Sequence, residues 1–122
     1  MKKVVHLSEV PVKTVPIQEG HHGGTIQYVF NPDNVNAERI KLHVQTYPPG
    51  GFTVPEEHGV HDSMEQVYYM LEGEMEITLG DEVHRIGPGS CVYIPRNTLH
   101  GHKCIGKTDL KFLTFNAYHK DI

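Results

Sequence analysis

The chain has 122 residues, which is enough for one domain with a buried core and too few for a second domain of ordinary size. Its formal net charge is −4, and it contains neither tryptophan nor a run of basic residues, so nucleic acid is not an expected partner. Met1-Lys2-Lys3 is not followed by the apolar segment of a signal peptide, and no stretch approaches the length of a membrane span. The composition therefore predicts a cytoplasmic protein that does not enter a membrane.

The predicted elements are short strands separated by turns. Residues 1–24 form an N-terminal arm whose β-prone pieces are interrupted by prolines, as in edge strands. A strand over 25–30 ends at the turn Asn31-Pro-Asp-Asn34, and a half-buried strand over 39–47 follows it. Further strands are predicted over 66–71, 75–79, 83–86, 91–94, 99–105 and 110–115.

Roughly nine or ten short strands, without an apolar pattern long enough for a core helix, predict an all-β protein. The expected architecture is an antiparallel β-sandwich or jelly-roll barrel with little or no helix. The strands at 67–71 and 91–94 are apolar on both faces, so we expect a homodimer to cover the face outside the barrel. Cys91 and Cys104 are expected to be reduced thiols, with Cys91 buried in its apolar strand.

Metal-binding residue types gather in two stretches, GGFTVPEEHGVHDSMEQVYYMLEGE at 50–74 and PGSCVYIPRNTLHGHKC at 88–104. The candidate ligands are His58, His61, Gln66 and His100, which would leave a coordination position for a substrate. His58 and His61 are three residues apart, so in a regular strand their rings would point to opposite sides. Gly59 is predicted to adopt a positive φ and absorb the extra residue in a bulge, so that the two rings converge.

Strand periodicity adds two candidate catalytic residues. Gln66 and Tyr68 share one face of their strand, whereas Glu65 faces the other way and is interpreted as a solvated or paired carboxylate. His102 lies two residues after His100 and so shares its face. Tyr68 and His102 are thus candidates to act on a metal-bound substrate, the alternatives being a core tyrosine and a polar lining residue.

The remaining histidines are interpreted more plainly. His21 and His22 lie between glycines and predict a flexible loop, with a second metal-binding tract or a substrate-contacting loop as alternatives. The histidines outside the motif spacings are interpreted as ordinary surface or hydrogen-bonded residues; they are His6, His43, His84 and His119.

The two stretches resemble the cupin superfamily, in particular its small single-domain members of the conserved-barrel type. The first cupin motif reads glycine, His-x-His, glutamate and glycine, and Gln66 precedes Gly73 by the six residues that separate its glutamate from its last glycine. In the second motif, Gly89 and Pro95 are separated by the required five residues, and His100 follows at the right distance. The resemblance implies one cupin domain over 1–122, with an arm at 1–24 and a barrel core at 40–115.

Four positions depart from the cupin pattern. His-x-x-His replaces His-x-His, and Gln66 stands where glutamate is usual. Asn97 replaces a glycine, and Cys104 replaces the final asparagine. Glutamine at the fourth ligand position occurs in similar cupins, which include enzymes that ketonise unsaturated uronates.

Together these features predict a metal-dependent enzyme. Three imidazoles and an amide are neutral, so one divalent transition metal per chain would keep its full charge and favour an anionic small-molecule ligand. We therefore expect Lewis-acid isomerisation, tautomerisation or cyclisation of a small oxygenated metabolite. The metal is left open among Zn, Mn, Fe, Ni and Co. The alternatives that the resemblance implies are a metal-dependent dioxygenase and a non-catalytic cupin that binds a small ligand or sugar.

Overall fold

The computed structural model describes residues 1–55 and 59–122. The described residues form two antiparallel sheets packed as a sandwich, with little helix, which confirms the predicted fold class. The strands are β1 Lys13–Thr14, β2 His21–His22, β3 Thr25–Phe30, β4 Ile40–Tyr47, β5 Phe52–Thr53, β6 Met64–Glu72, β7 Met75–Leu79, β8 Glu82–Ile86, β9 Cys91–Ile94, β10 His100–Cys104 and β11 Leu110–Tyr118.

The helical segments are short. Two 3₁₀ turns cover Leu7–Glu9 and Ile17–Glu19, and α1 covers Pro32–Val35. The turn predicted at 31–34 is this single helical turn, because the Asn31 side chain accepts hydrogen bonds from the backbone N–H groups of Asp33 and Asn34. No helix among the described residues is long and apolar enough to cross a membrane.

The strand order places the strands that carry Gln66 and His100 in different sheets. One sheet has the order β1-β3-β4-β11-β6-β9, and the other has the order β2-β5-β10-β7-β8. Strand β6, with Gln66, therefore faces β10, with His100, across the interior of the sandwich. The N-terminal arm belongs to both sheets, because β1 pairs with β3 and β2 pairs with β5.

The apolar core lies toward the β6–β7 turn. It contains residues from both sheets, with Leu110, Phe112, Tyr47 and Met75 fully buried. At about 25 cal/mol per Å² of apolar surface removed from water, this cluster provides the main driving force for folding the sandwich. The interior also holds buried polar side chains, among them Gln66 and His100.

Strand β4 turns its more polar face inward. His43, Gln45 and Tyr47 are buried, and across the sheet they pair with the interior residues of β11. Gln45 Nε2 donates to Thr114 Oγ1 at 3.1 Å, which explains how a buried amide is tolerated on this strand. The apolar set of β4 lies on the outer face of the sheet.

The outer face of the six-stranded sheet is apolar, as predicted for β6 and β9. Its partly exposed side chains are Ile40, Val67, Tyr69, Tyr93 and Phe115. Cys91 pairs with Tyr69 on this face and is exposed, so the expectation that it is buried was wrong. Alternation along β9 is the reason, because it is Val92 and Ile94 that point inward. Both cysteines are free thiols.

Candidate metal centre

His61 and His100 come together between the sheets. Their ring centroids are 5.3 Å apart, with a 50° tilt between the ring planes. His100 opens β10 and is buried, whereas His61 lies half-buried in the loop before β6. The loop is tied to the second motif, because Asn97 N donates to His61 O at 2.7 Å and His100 N donates to Gly59 O at 3.0 Å.

Gly59 allows the loop backbone to pack closely on β10. It lies in a loop, and the positive φ predicted from its spacing stays a prediction because that angle depends on His58. A Cβ at this position would lie 1.8 Å from His100 O, which no side chain can occupy. Glycine is required here because the loop backbone packs directly on β10. His58, the neighbouring predicted ligand, lies outside the described residues.

Asn97 occupies the position where the cupin pattern has glycine. Its φ is 59°, one of two positive values among the described non-glycine residues. Asparagine tolerates the left-handed conformation better than most residues, since its short side chain can hydrogen-bond locally. The departure at Asn97 therefore preserves the backbone conformation of the turn that leads into β10.

Gln66 presents an amide oxygen to the interior. The side chain is buried, and its Nε2 donates to Asn116 Oδ1 at 3.0 Å. Within the described chain, Gln66 Oε1 is buried and has no hydrogen-bond partner. Buried amide oxygens normally accept a hydrogen bond or bind a cation, so this atom suits a metal ligand. Sequence reasoning missed Asn116, which orients the amide from β11.

His100 has the hydrogen bond expected of an imidazole ligand. Its Nδ1 lies 3.0 Å from Thr98 O, and because a carbonyl only accepts, Nδ1 carries the proton. Nε2 then keeps a lone pair, and such a carbonyl partner is a common orienting contact for metal-bound histidine. Burial lowers the pKa of His100, and burial together with His100 lowers the pKa of His61. Both rings are therefore neutral near pH 7, as a metal ligand requires.

The described residues contain only part of the predicted ligand set. Among residues 1–55 and 59–122, no three side chains of His, Cys, Asp or Glu converge as a metal-binding group. The structure brings together the pair His61 and His100, and it turns the Gln66 amide into the same interior. These donors fit a divalent transition metal, since neutral imidazole and amide groups are ordinary ligands of such ions.

Tyr68 and His102 both face the interior, as their spacing predicts. His102 makes edge-on ring contacts with Tyr47 at 4.7 Å, Phe112 at 5.0 Å and Tyr68 at 5.9 Å between centroids. Tyr68 is fully buried, and its hydroxyl has no hydrogen-bond partner in the described part of the chain. Burial raises the pKa of Tyr68 well above its usual value, so its hydroxyl is a proton donor at neutral pH.

Glu65 lies on the face of β6 opposite to Gln66, as the alternation of side chains along a strand predicts. It accepts a hydrogen bond from the hydroxyl of Tyr93 at 3.1 Å. This contact lies on the outer face of the sheet, away from Gln66 and the histidine pair. Glu65 is therefore not part of the interior site.

His21 and His22 form a strand, so the predicted flexible loop was wrong. His21 is buried, and its Nδ1 lies 2.7 Å from the hydroxyl of Tyr47. Tyr47 donates in turn to Gln45 Oε1 at 3.2 Å, so His21 Nδ1 is the donor to Tyr47. Burial lowers the pKa of His21 to about 4. His22 stacks on Phe52, with 4.5 Å between ring centroids.

The fold and the interior site define a jelly-roll β-sandwich with inward-facing histidine and amide donors. The chain belongs to the cupin domain family, whose family model Cupin_2 matches residues 43–116. The family resemblance drawn from the two motifs is thereby confirmed. An uncharacterized protein of Methanocaldococcus jannaschii, MJ1618, is 31% identical over 91 residues, which span 75% of this chain and 70% of that protein.

Two solved structures show how widely the fold is shared. The polyketide cyclase RemF from Streptomyces resistomycificus is 27% identical with a TM-score of 0.80, over 98% of this chain and 82% of that chain. A predicted oxalate decarboxylase from Thermotoga maritima has a TM-score of 0.83 at 21% identity, over 94% of this chain and 98% of that chain. At 21% identity, the similarity to the predicted oxalate decarboxylase concerns the fold alone.

Proposed function

We propose that this cupin is an enzyme that uses one divalent transition metal as a Lewis acid on a small oxygenated metabolite. The reaction class is isomerisation, tautomerisation or cyclisation. The observation that carries the proposal is the buried Gln66 Oε1, which Asn116 orients and which lacks a partner within the described chain. The ligands would be His61, Gln66 and His100, with His58 added from the sequence pattern.

Because these ligands are neutral, they favour Lewis-acid chemistry at the metal. When bound, a divalent metal would polarise a carbonyl or enol oxygen of the substrate and stabilise negative charge on it. The neutral ligands His61, Gln66 and His100 would not cancel that charge. The similarity to a polyketide cyclase supports cyclisation as one member of the reaction class.

Tyr68 and His102 are the proposed catalytic residues. The Tyr68 hydroxyl remains protonated at neutral pH, so its role is to donate a hydrogen bond or proton to substrate oxygen. His102 is enclosed by three aromatic rings, so it is positioned firmly within the same interior. We assign it the complementary transfer of a proton to or from substrate carbon.

Metal analysis tests the proposal directly. Protein purified without chelator should contain about one transition-metal ion per chain, measured by elemental analysis. His100→Ala should lose the metal, whereas His84→Ala should retain it because His84 is exposed on β8. A wild-type protein that is empty, and that also refuses added Zn, Mn, Fe, Co and Ni, would refute the proposal.

We also propose that a second copy of the chain covers the outer face of the six-stranded sheet. Tyr69, Tyr93 and Phe115 are 42%, 56% and 37% exposed there. With about 150–250 Å² per aromatic side chain, these three rings expose roughly 200–340 Å². Removing that area from water contributes roughly 5–8 kcal/mol per chain before the cost of association.

A matched pair of valine variants tests the dimer. Val67→Lys places a charge on the outer face and should yield a monomer by light scattering at micromolar concentration. Val83→Lys should leave the dimer intact, because Val83 is exposed on β8 of the other sheet. A monomeric wild-type protein would exclude this arrangement.

We propose finally that residues 1–122 form one domain in the cytoplasm, where Cys91 and Cys104 remain reduced. The pairing of the arm with both sheets supports a single unit, as does Gln27, whose Nε2 donates to Leu7 O and Val10 O. Limited proteolysis should spare the arm, and early cleavage within residues 1–24 would argue against it.

A further inference from the structure

A cavity of about 780 Å³ opens beside the inner face of β1, β3 and β4. Its wall includes Lys13, Tyr28, Lys41 and His43, together with apolar side chains and residues 31–34. Lys41 and His43 belong to the inward-facing set of β4, and Tyr28 pairs with His43 across β3 and β4. The cavity is thus continuous with the inner face of the sheet that carries Gln66.

Two lysines line this cavity. Lys13 Nζ lies 5.7 Å from the centroid of the Tyr28 ring, and Lys41 Nζ lies 5.1 Å from that of Tyr118. Neither lysine forms a salt bridge with another described residue, and the carboxylates among the lining residues are the Asp33 side chain and the terminal carboxylate of Ile122. Cation–π contacts at exposed sites are weak, so both ammonium groups can turn toward an anion.

His43 adds a polar atom beside the lysines. The residue is 8% exposed, and its buried Nε2 has no hydrogen-bond partner within the described chain. Burial, with a smaller effect of the Lys41 charge, lowers the pKa of His43 to about 4. The ring is therefore neutral near pH 7, and in one tautomer its Nε2–H can donate to a ligand oxygen.

The sheet connects the cavity to the candidate metal centre. Lys41 pairs with Asn116 on β11, and Asn116 pairs with Gln66 on β6. Neighbouring strands are about 4.8 Å apart, so the backbones of Lys41 and Gln66 are about 10 Å apart on one face. Lys41 lines the cavity, and the row through Asn116 leads from it to Gln66, which lies outside the cavity wall.

We propose that this cavity binds the substrate of the enzyme as an organic carboxylate with an apolar body. The carboxylate is held by Lys41 and Lys13, and the apolar body lies against Tyr28. The oxygenated end of the molecule points along the row from Lys41 to Gln66. This orientation rests on the proposed metal function, whereas the carboxylate site itself requires no metal.

Titration calorimetry with matched probes tests the site at pH 7.5. The probes are 2-naphthoate and the uncharged 2-naphthamide, and the protein variants are Lys41→Gln, Lys13→Gln and the exposed control Lys107→Gln. Lys41→Gln should weaken naphthoate binding roughly tenfold, since a hydrogen bond to a charged group is lost. Lys13→Gln should weaken it by a smaller factor, and Lys107→Gln should leave it unchanged.

Several results would overturn the proposal. They are no naphthoate binding at millimolar concentration, equal affinity for naphthoate and naphthamide, and equal behaviour of Lys41→Gln and Lys107→Gln. Inorganic phosphate that competes as well as naphthoate would exclude recognition of the apolar body. Lys41→Arg should retain naphthoate binding, and its failure to do so in a folded variant would also count against the site.

Repeating the titrations with chelator separates this proposal from the metal function. Chelated protein should bind naphthoate with the same dependence on Lys41. If the protein takes up no metal but Lys41→Gln still weakens naphthoate, the metal function fails and the carboxylate site stands. If metal binds normally and Lys41→Gln has no effect, the carboxylate site alone is overturned.

Discussion

Replacing Gly59 by alanine should disrupt the loop that carries the histidine pair. The added Cβ would lie 1.8 Å from His100 O, 2.9 Å from His100 C and 3.0 Å from Pro55 O. These neighbours are backbone atoms, so a rotamer change cannot relieve the clash. The loop must retreat from β10 by about 1.6 Å to reach the 3.4 Å of ordinary contact.

The expected cost follows from two contributions. Retreat of the loop breaks the hydrogen bond from His100 N to Gly59 O, which contributes about 1 kcal/mol. Overpacking of a tight contact adds about 1–3 kcal/mol. We therefore expect Gly59→Ala to lower the free energy of unfolding by about 2–4 kcal/mol, or roughly 6–20 °C in Tm for a chain of this size. Metal affinity should also fall, because His61 and His100 move apart.

Urea unfolding of Gly59→Ala beside Gly87→Ala checks this reasoning. A Cβ on Gly87 would have no heavy atom within 4 Å, and its φ lies outside the left-handed region. That control should therefore be neutral or slightly stabilising, since alanine restricts the unfolded chain. If Gly59→Ala unfolds within about 0.5 kcal/mol of the wild type, the close packing of the loop on β10 is refuted.

Three further substitutions test the site and its support. Asn97→Ala should lower the free energy of unfolding in urea by about 1 kcal/mol, because φ of Asn97 is positive. Asn97→Gly should stay within about 0.5 kcal/mol of the wild type. Equal costs for the two variants would show that the positive φ does not matter for stability. Tyr47→Phe removes the hydroxyl between His21 and Gln45 and should cost about 2 kcal/mol, and a cost below about 0.5 kcal/mol would count against the buried network. Gln66→Glu should keep the metal but weaken an anionic probe in calorimetry, since two unit charges about 4 Å apart interact by roughly 4 kcal/mol at an effective dielectric of 20. Unchanged anion affinity would place Gln66 outside the ligand set.

Local periodicity determined the orientation of the β6 side chains. Gln66 and Tyr68 point inward and Glu65 points outward, as alternation along a strand requires. This prediction needed no knowledge of distant residues, because the backbone geometry of a strand fixes which side chains share a face. The motif spacings likewise sufficed for the cupin family and for the β-sandwich.

The reason for Gly59 was not available from its neighbours in the chain. Its spacing between two histidines indicated a bulge, yet what excludes a side chain there is His100 O on another strand. His21 is a similar case, because flanking glycines indicated a loop while the Tyr47 hydroxyl holds the ring in the interior. At both Gly59 and His21, a contact with a residue far away in the sequence determined the local structure.

The inward face of β4 was also decided by tertiary structure. Alternation divides β4 into an apolar set and a polar set that includes Lys41 and His43, but it does not say which set faces the second sheet. The polar set turns inward because β11 offers Thr114 and Asn116 as interior partners. The sequence alone thus determined where the strands lie, which side chains share a face of each strand, and the family. Only the folded chain placed Lys41 in one row with Gln66, because the pairing of β4, β11 and β6 joins residues that no local pattern connects.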